Sequence, residues 1–352
     1  MPMCAEKIVE YLFRDSENLS LSLLEWLKVI CATMLISNKN FSGDFFKALS
    51  AKISTSNADS NLSDEQKKFI MYGALAYMTY ADPNQNDTIT INDTEYTIEK
   101  IALTSGWISA PYYAYGLKSQ NTENQSFLIF QGTTFPTDNG FLAGVLADTR
   151  PVGAIGTQLY DRGRNKIQEW IECQHTATNQ PVKCVGQSLG GAMSLHAYIN
   201  QPDKVSFCAI NPPYLTAREK TILGTSTSMR TTNNQVLSAI QDPVRGLGWW
   251  LPDECRVFSY GESDEYPILA HARAPKNTDG TGNQYSGPAA SEQSSISRLI
   301  FKYIKPILYC IALLLTALAL PIRICWHLGE IMCAKINSWR HENNQQSSDL
   351  TL

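Results

Sequence analysis

Apolar residues near the start of the chain recur at helical spacing. Clusters at 8–12, 23–30 and 45–49 repeat every three or four positions, which predicts two or three amphipathic helices. A polar stretch separates them from Ser63-Asp64-Glu65-Gln66, a pattern typical of a helix start with acidic residues in its first turn. Because these clusters carry no recognisable chemistry, residues 1–60 are interpreted as an N-terminal helical region.

The middle of the chain changes to short apolar runs of strand type. In residues 88–98, apolar and polar side chains alternate on both sides of an Asn-Asp pair, which predicts a β-hairpin. Further strands are predicted at 107–115, 126–130, 182–185, 205–210, 235–240 and 255–260, and helices at 156–174, 189–197 and 216–223. Alternating strands and helices predict a mainly parallel sheet covered by helices, so the fold class of residues 61–276 is α/β.

The C-terminal part of the chain has a different composition. Residues 277–297 are rich in Gly, Ser, Thr, Asn and Gln, which is typical of a flexible linker. The uncharged run 306–322 would extend roughly 25 Å as a helix, close to the ~30 Å of a bilayer core, and basic residues flank it. Segment 298–341 is therefore predicted to be a hydrophobic membrane anchor with an amphipathic tail, either spanning or interfacial, before a polar C-terminus at 342–352.

Composition narrows the possible functions. The 352 residues allow one large domain or two modest ones. The net charge of −4 gives no sign of the excess of basic residues that binds nucleic acid. The nine cysteines are scattered without metal-ligand spacing, which indicates reduced thiols and no metal site. The N-terminus lacks a basic segment followed by an apolar one, so no secretory signal is expected. Together with the anchor, these features predict a membrane protein whose main domain faces a reducing, cytosol-like compartment.

One motif joins a predicted strand to a predicted helix. Gly186-Gln187-Ser188-Leu189-Gly190 has the form G-x-S-x-G. A serine on a sharp strand-to-helix turn exposes its Oγ, and the flanking glycines avoid collisions with neighbouring backbone. Chance supplies this pattern in roughly one chain in ten of this length. The strand before it and the helix after it favour the nucleophile elbow of an α/β-hydrolase.

A serine nucleophile needs a base, and in this fold the chain order is serine, acid, histidine. His175 precedes Ser188, and His196 lies roughly 12 Å along the same helix, too far to reach it. The two C-terminal histidines lie in or after the apolar segment, which leaves His271 as the candidate base.

The acid that orients the base should follow a strand and precede His271. Asp242 comes directly after the predicted strand 235–240 and is preferred. Glu262, Asp253 and Asp264 are alternatives, but they lie in more polar stretches that are typical of solvated loops.

An oxyanion hole needs hydrogen-bond donors next to the nucleophile. The amide of Leu189 directly follows Ser188, and Gly132-Thr133 follows the predicted strand 126–130. Since active sites of such sheets form beyond the carboxyl ends of the strands, Thr133 and Leu189 are the predicted donors.

Four motifs in this order resemble the class 3 lipases, the fungal triacylglycerol lipase-like α/β-hydrolases. They are Phe130-Gln131-Gly132-Thr133, Ala147-Asp148, Gly186 to Ala192 and Asp242-Pro243-Val244. The resemblance covers roughly residues 65–275 and implies a triad of Ser188, Asp242 and His271, an oxyanion hole of Thr133 and Leu189, and a lid at 136–152. Gln131 stands where the family usually has Arg, and Gln187 where it usually has His. The surroundings of His271 lack a family signature.

The leading hypothesis is a lipase or phospholipase A that cleaves lipid acyl esters at a membrane through an acyl-enzyme, without cofactor or metal. Apolar residues in the predicted lid favour a lipid substrate: Phe141, Leu142, Val145 and Leu146. Two alternatives stay open. One is a catalytically silent α/β-hydrolase scaffold that recruits partners to a membrane through its N-terminal helices. The other is an esterase or thioesterase for soluble substrates.

Overall fold

A computed structural model gives the fold of most of the chain N-terminal to the predicted linker. It describes residues 5–13, 39–104, 111–133, 144, 154–224, 233–240, 242, 244–248, 250–253, 255–261, 267–275 and 283–284.

A single mixed sheet of nine strands runs through the described residues, and the strands lie side by side in the order of the sequence. The first three pairs of neighbours, from β1 to β4, are antiparallel. The pairs from β4 to β8 are parallel, and β8 and β9 are antiparallel. The strands are β1 (Thr88–Ile91), β2 (Thr94–Ala102), β3 (Tyr113–Ser119), β4 (Phe127–Phe130), β5 (Val182–Gln187), β6 (Val205–Ile210), β7 (Asn234–Ala239), β8 (Cys255–Tyr260) and β9 (Asn283–Gln284). Since β4 to β7 are buried along their whole length, their continuous apolar runs suit the centre of a sheet that is covered on both faces.

Helices cover both faces of the sheet. They are α1 (Ala5–Leu12), α2 (Lys39–Ala58), α3 (Asp64–Met78), α4 (Thr157–Thr178), α5 (Leu189–Asn200), α6 (Ala217–Gly224) and α7 (Pro267–Ala272). Side chains of α1, α2 and α3 share one apolar core with alternate residues of the strands. Side chains of α4 and α5 share a second core with the other strand residues. The N-terminal helices therefore cover one face of the sheet.

The predicted α/β-hydrolase fold is confirmed, with a mainly parallel central sheet between layers of helices. The hairpin at 88–98 forms β1 and β2, and both residues of its turn have positive φ, 48° at Asn92 and 60° at Asp93. This is the conformation that Asn and Asp tolerate in two-residue hairpin turns. Within the predicted linker, Asn283–Gln284 adds a short strand at the edge of the sheet.

The membrane localisation expected from the sequence is wrong for the part of the chain that the structure describes. A helix that spans a bilayer needs about 20 predominantly apolar residues. None of the helices in the described ranges is both long and apolar enough. The longest, α4, has 22 residues and carries charged side chains from Asp161 to Glu172. The predicted anchor at 298–341 lies outside the described residues, as does the C-terminus at 342–352.

Candidate active site

Ser188 lies at the tip of a tight turn between β5 and α5. Its backbone has φ 55° and ψ −122°, a conformation that side chains other than that of glycine rarely adopt. The Ser188 N–H donates to the Ile210 carbonyl of β6 at 2.9 Å. The turn is therefore anchored to the neighbouring strand, and it presents the partly exposed serine beyond the carboxyl end of β5.

The glycines of the motif are explained by close backbone contacts. A Cβ on Gly186 would lie 2.3 Å from the carbonyl carbon of Gly190. A Cβ on Gly190 would lie 2.2 Å from the Phe130 oxygen at the end of β4. Neither position has room for a side chain, because helix α5 starts directly against the ends of β4 and β5. The steric reason expected for G-x-S-x-G therefore applies in this chain.

His271 hydrogen-bonds to both other residues of the predicted triad. Its Nε2 lies 2.9 Å from Ser188 Oγ, and its Nδ1 lies 2.9 Å from Asp242 Oδ1. Since a carboxylate can only accept, Nδ1 is the nitrogen that carries the proton in the neutral ring. Nε2 is then free to accept the proton of the serine hydroxyl. The three side chains form a continuous chain of hydrogen bonds.

Asp242 is enclosed by protein. Its side chain has 0% exposure, against 22% for the side chain of His271. Besides the imidazole, Oδ1 accepts the Val244 N–H at 2.9 Å. A buried carboxylate is costly unless it is hydrogen-bonded, and both of these contacts supply Asp242 with hydrogen-bond donors. Of the alternatives, Asp253 is exposed, whereas Glu262 and Asp264 lie outside the described residues.

The two predicted oxyanion residues lie close together. Leu189 is the first residue of α5, where backbone N–H groups have no partner within the helix. A Cβ built on Gly144 would lie 3.5 Å from Leu189 Cδ2 and 3.6 Å from Thr133 Cγ2. One buried glycine of the predicted lid therefore packs between Thr133 and Leu189. The rest of the lid, at 136–152, lies outside the described residues.

Two polar residues that the sequence did not mark as functional contact the His271 segment. Gln187 was noted only as a departure from the family pattern, and Asn211 directly follows the predicted strand 205–210. Their side-chain amides donate to the His271 carbonyl at 2.8 Å and 2.9 Å. The sequence could have marked both residues, because each lies at the carboxyl end of a predicted parallel strand, where active sites of such sheets form. Within the described ranges, no cluster of three metal-ligating side chains is present.

Two fungal lipases of known structure are similar to this chain. A triacylglycerol lipase from Penicillium expansum matches with a TM-score of 0.40 and 14% identity, over 59% of this chain and 82% of the lipase. The Lip2 lipase from Yarrowia lipolytica matches with a TM-score of 0.38 and 15% identity, over 60% of this chain and 85% of the lipase. Comparisons with family models and with curated proteins give no match. The α/β-hydrolase assignment rests on the strand order and the elbow of this chain.

Proposed function

We propose that this protein is a serine hydrolase that cleaves the acyl esters of lipids. The observation that carries the proposal is the hydrogen-bonded series Ser188, His271 and Asp242, with 2.9 Å at both contacts of the imidazole. Ser188 also sits on a turn whose backbone is held in a rare conformation, as expected for a nucleophile elbow. The lipid class of the ester is proposed from the sequence motifs that resemble class 3 lipases.

In the proposed reaction, Ser188 Oγ attacks the ester carbonyl while His271 Nε2 takes the hydroxyl proton. Asp242 keeps the imidazole oriented and stabilises its positive charge. The amides of Leu189 and Thr133 donate to the oxyanion of the tetrahedral intermediate, and the N-terminus of α5 adds its positive dipole. His271 returns the proton to the leaving alcohol. Water, activated by the same imidazole, then releases the fatty acid from Ser188.

Labelling with a fluorophosphonate probe tests the nucleophile. Wild-type protein should form a covalent adduct on Ser188, and Ser188→Ala should form none. Ser194→Ala is the matched control, because this buried serine of α5 donates to the Gly190 carbonyl away from His271. An adduct that persists in folded Ser188→Ala would assign the nucleophile to another residue. No adduct in folded wild type would favour a catalytically silent scaffold. Either result would contradict the proposed chemistry.

Product analysis tests the acid and the substrate class. Asp242→Asn should lower kcat by ~10⁴-fold, whereas Asp253→Asn, at an exposed alternative carboxylate, should leave kcat near the wild-type value.

Free fatty acid released from triacylglycerol or phospholipid emulsions would support a lipid substrate. Full turnover of short-chain esters or thioesters, with none of emulsions, would instead assign the site to soluble substrates.

A further inference from the structure

The backbone carbonyls around His271 are bonded by side chains from four other parts of the fold. Helix α7 has only six residues, so the carbonyls of its last turn need partners from elsewhere. The partners of carbonyls 270–273 are the Asn211 amide, the Gln187 amide and the hydroxyls of Tyr77 and Tyr260. The segment that carries the imidazole is thus attached to the end of β5, the end of β6, helix α3 and strand β8.

The His271 carbonyl receives two of these bonds. Gln187 Nε2 donates to it at 2.8 Å and Asn211 Nδ2 at 2.9 Å. A carbonyl oxygen has two lone pairs, so both are used. Gln187 is 4% exposed and Asn211 0%, and water therefore has little access to compete for the bonds. The two amides set the position of the His271 backbone.

Asn211 also bonds to the strand that leads to Asp242. Its Oδ1 accepts the Ala239 N–H at 2.8 Å, near the end of β7 and three residues before Asp242. Its own N–H donates to the Leu237 carbonyl at 2.7 Å. The backbone of Asn211 has φ 46°, a conformation that asparagine tolerates better than most residues. One side chain therefore joins the segments of the proposed base and the proposed acid.

Gln187 connects the same backbone to the nucleophile. It precedes Ser188 in the elbow, so its side chain ties the end of β5 to His271, 84 positions further along the chain. Close by, the Tyr77 hydroxyl donates to the Ala272 carbonyl. Burial raises the pKa of Tyr77 well above its ordinary value, which keeps this hydroxyl protonated as a donor.

We propose that Gln187 and Asn211 are positioning residues for the proposed hydrolysis. Their amides hold the His271 backbone so that one imidazole reaches both Ser188 and Asp242. The role rests on the proposed function, because it matters for catalysis only if His271 is the base. A ring displaced by about 1 Å would lose both of its contacts, and errors of that size typically cost about 100-fold in rate.

Two substitutions remove the donors. Gln187→Met keeps the length of the side chain without its N–H groups, and Asn211→Asp keeps the acceptor for Ala239 while losing the donor for His271. Each should lower kcat for a short-chain ester by about 10- to 100-fold with KM within about twofold. Gln187→His supplies a ring N–H at the same position and should recover most of the lost kcat.

Asn200→Asp is the matched control. Asn200 Nδ2 donates at 2.8 Å to the carbonyl of another helical histidine, His196, away from the proposed triad. This variant should keep the wild-type kcat. The proton NMR resonance of the His271 Nδ1–H, strongly downfield when bonded to Asp242, is the second readout. It should be sharp in wild type and Asn200→Asp, and broadened or lost in Gln187→Met and Asn211→Asp.

The outcomes separate the two proposals. Wild-type kcat and a wild-type imidazole resonance in both donor variants would overturn the positioning role and leave the proposed hydrolysis intact. A loss of kcat that matches only the unfolded fraction of each variant would overturn it too. If wild type neither hydrolyses esters nor labels at Ser188, the proposed function fails. The imidazole resonance then still decides whether the amides position His271.

Discussion

Ser188 combines an unfavourable backbone with a chemically useful position. Its φ of 55° and ψ of −122° place a side chain where L-residues rarely occur, at a typical cost of about 1–3 kcal/mol. The turn is held by the Ile210 carbonyl and by the close contact of Gly186 with Gly190. The pattern G-x-S-x-G predicted this geometry from sequence, because the steric requirement arises within a few residues of the chain.

Replacing Ser188 by glycine should therefore stabilise the protein while abolishing the proposed hydrolysis. Ser188→Gly removes the Cβ and its strain but adds backbone entropy to the unfolded chain, so the net gain over Ser188→Ala should be about 1 kcal/mol. Ser188→Ala is the control because it loses Oγ and keeps Cβ. The free energy of unfolding from urea titration measures the difference. Equal stability of the two variants would show that the turn is not strained.

At the scale of elements, the starts of helices follow local chemistry closely. Ser63 accepts the Gln66 N–H at 3.2 Å, and the Gln66 side chain accepts the Ser63 N–H at 2.9 Å. This reciprocal pair begins α3 where the sequence pattern predicted a helix. The ends of elements were less predictable: β3 runs to Ser119, beyond the expected strand at 107–115. Its limits depend on pairing with β2 and β4, which are other segments of the chain.

Removal of the cap should weaken the fold measurably. Ser63→Ala leaves the Gln66 N–H without its side-chain acceptor and should cost about 1 kcal/mol of unfolding free energy. Ser54→Ala is a suitable control, because Ser54 is an exposed residue within α2 whose hydroxyl donates to the Ser50 carbonyl of the preceding turn. Its effect should stay within about 0.5 kcal/mol. Thermal or urea unfolding distinguishes the two, and equal effects would argue against the capping role.

At the scale of the molecule, buried polar side chains connect three helices on one face of the sheet, α4, α5 and α6. His196 of α5 is 3% exposed and Glu219 of α6 is 1% exposed. His196 Nε2 lies 2.9 Å from the Ile155 carbonyl, and Thr157 Oγ1 lies 3.3 Å from Glu219 Oε1. These contacts direct His196 towards Ile155 and Thr157, and its ring nitrogen is occupied there. Burial lowers the pKa of His196 below 6.5, and the Glu219 charge offsets only part of that effect.

This histidine should make global stability depend on pH. Below about pH 6.5 His196 becomes protonated in the unfolded chain but stays neutral in the folded protein. The free energy of unfolding is therefore highest above this pH and decreases as the pH falls. The contribution is at most about 1.4 kcal/mol per pH unit. Urea titrations from about pH 8 to pH 5 should show that the free energy of unfolding falls more steeply towards acid pH for wild type than for His196→Gln.

Sequence patterns alone predicted the elbow, the central strands and the candidate residues of the site. Those features depend on short-range sterics and on the period of apolar residues, which a few neighbouring positions encode. Tertiary structure decided the rest. The N-terminal helices cover one face of the sheet, and the part of the chain that the structure describes has no membrane-spanning helix. Ser188 and His271 are 83 positions apart, so only the order of the parallel strands brings them together. The same strand order brings Gln187 and Asn211 to the backbone of His271.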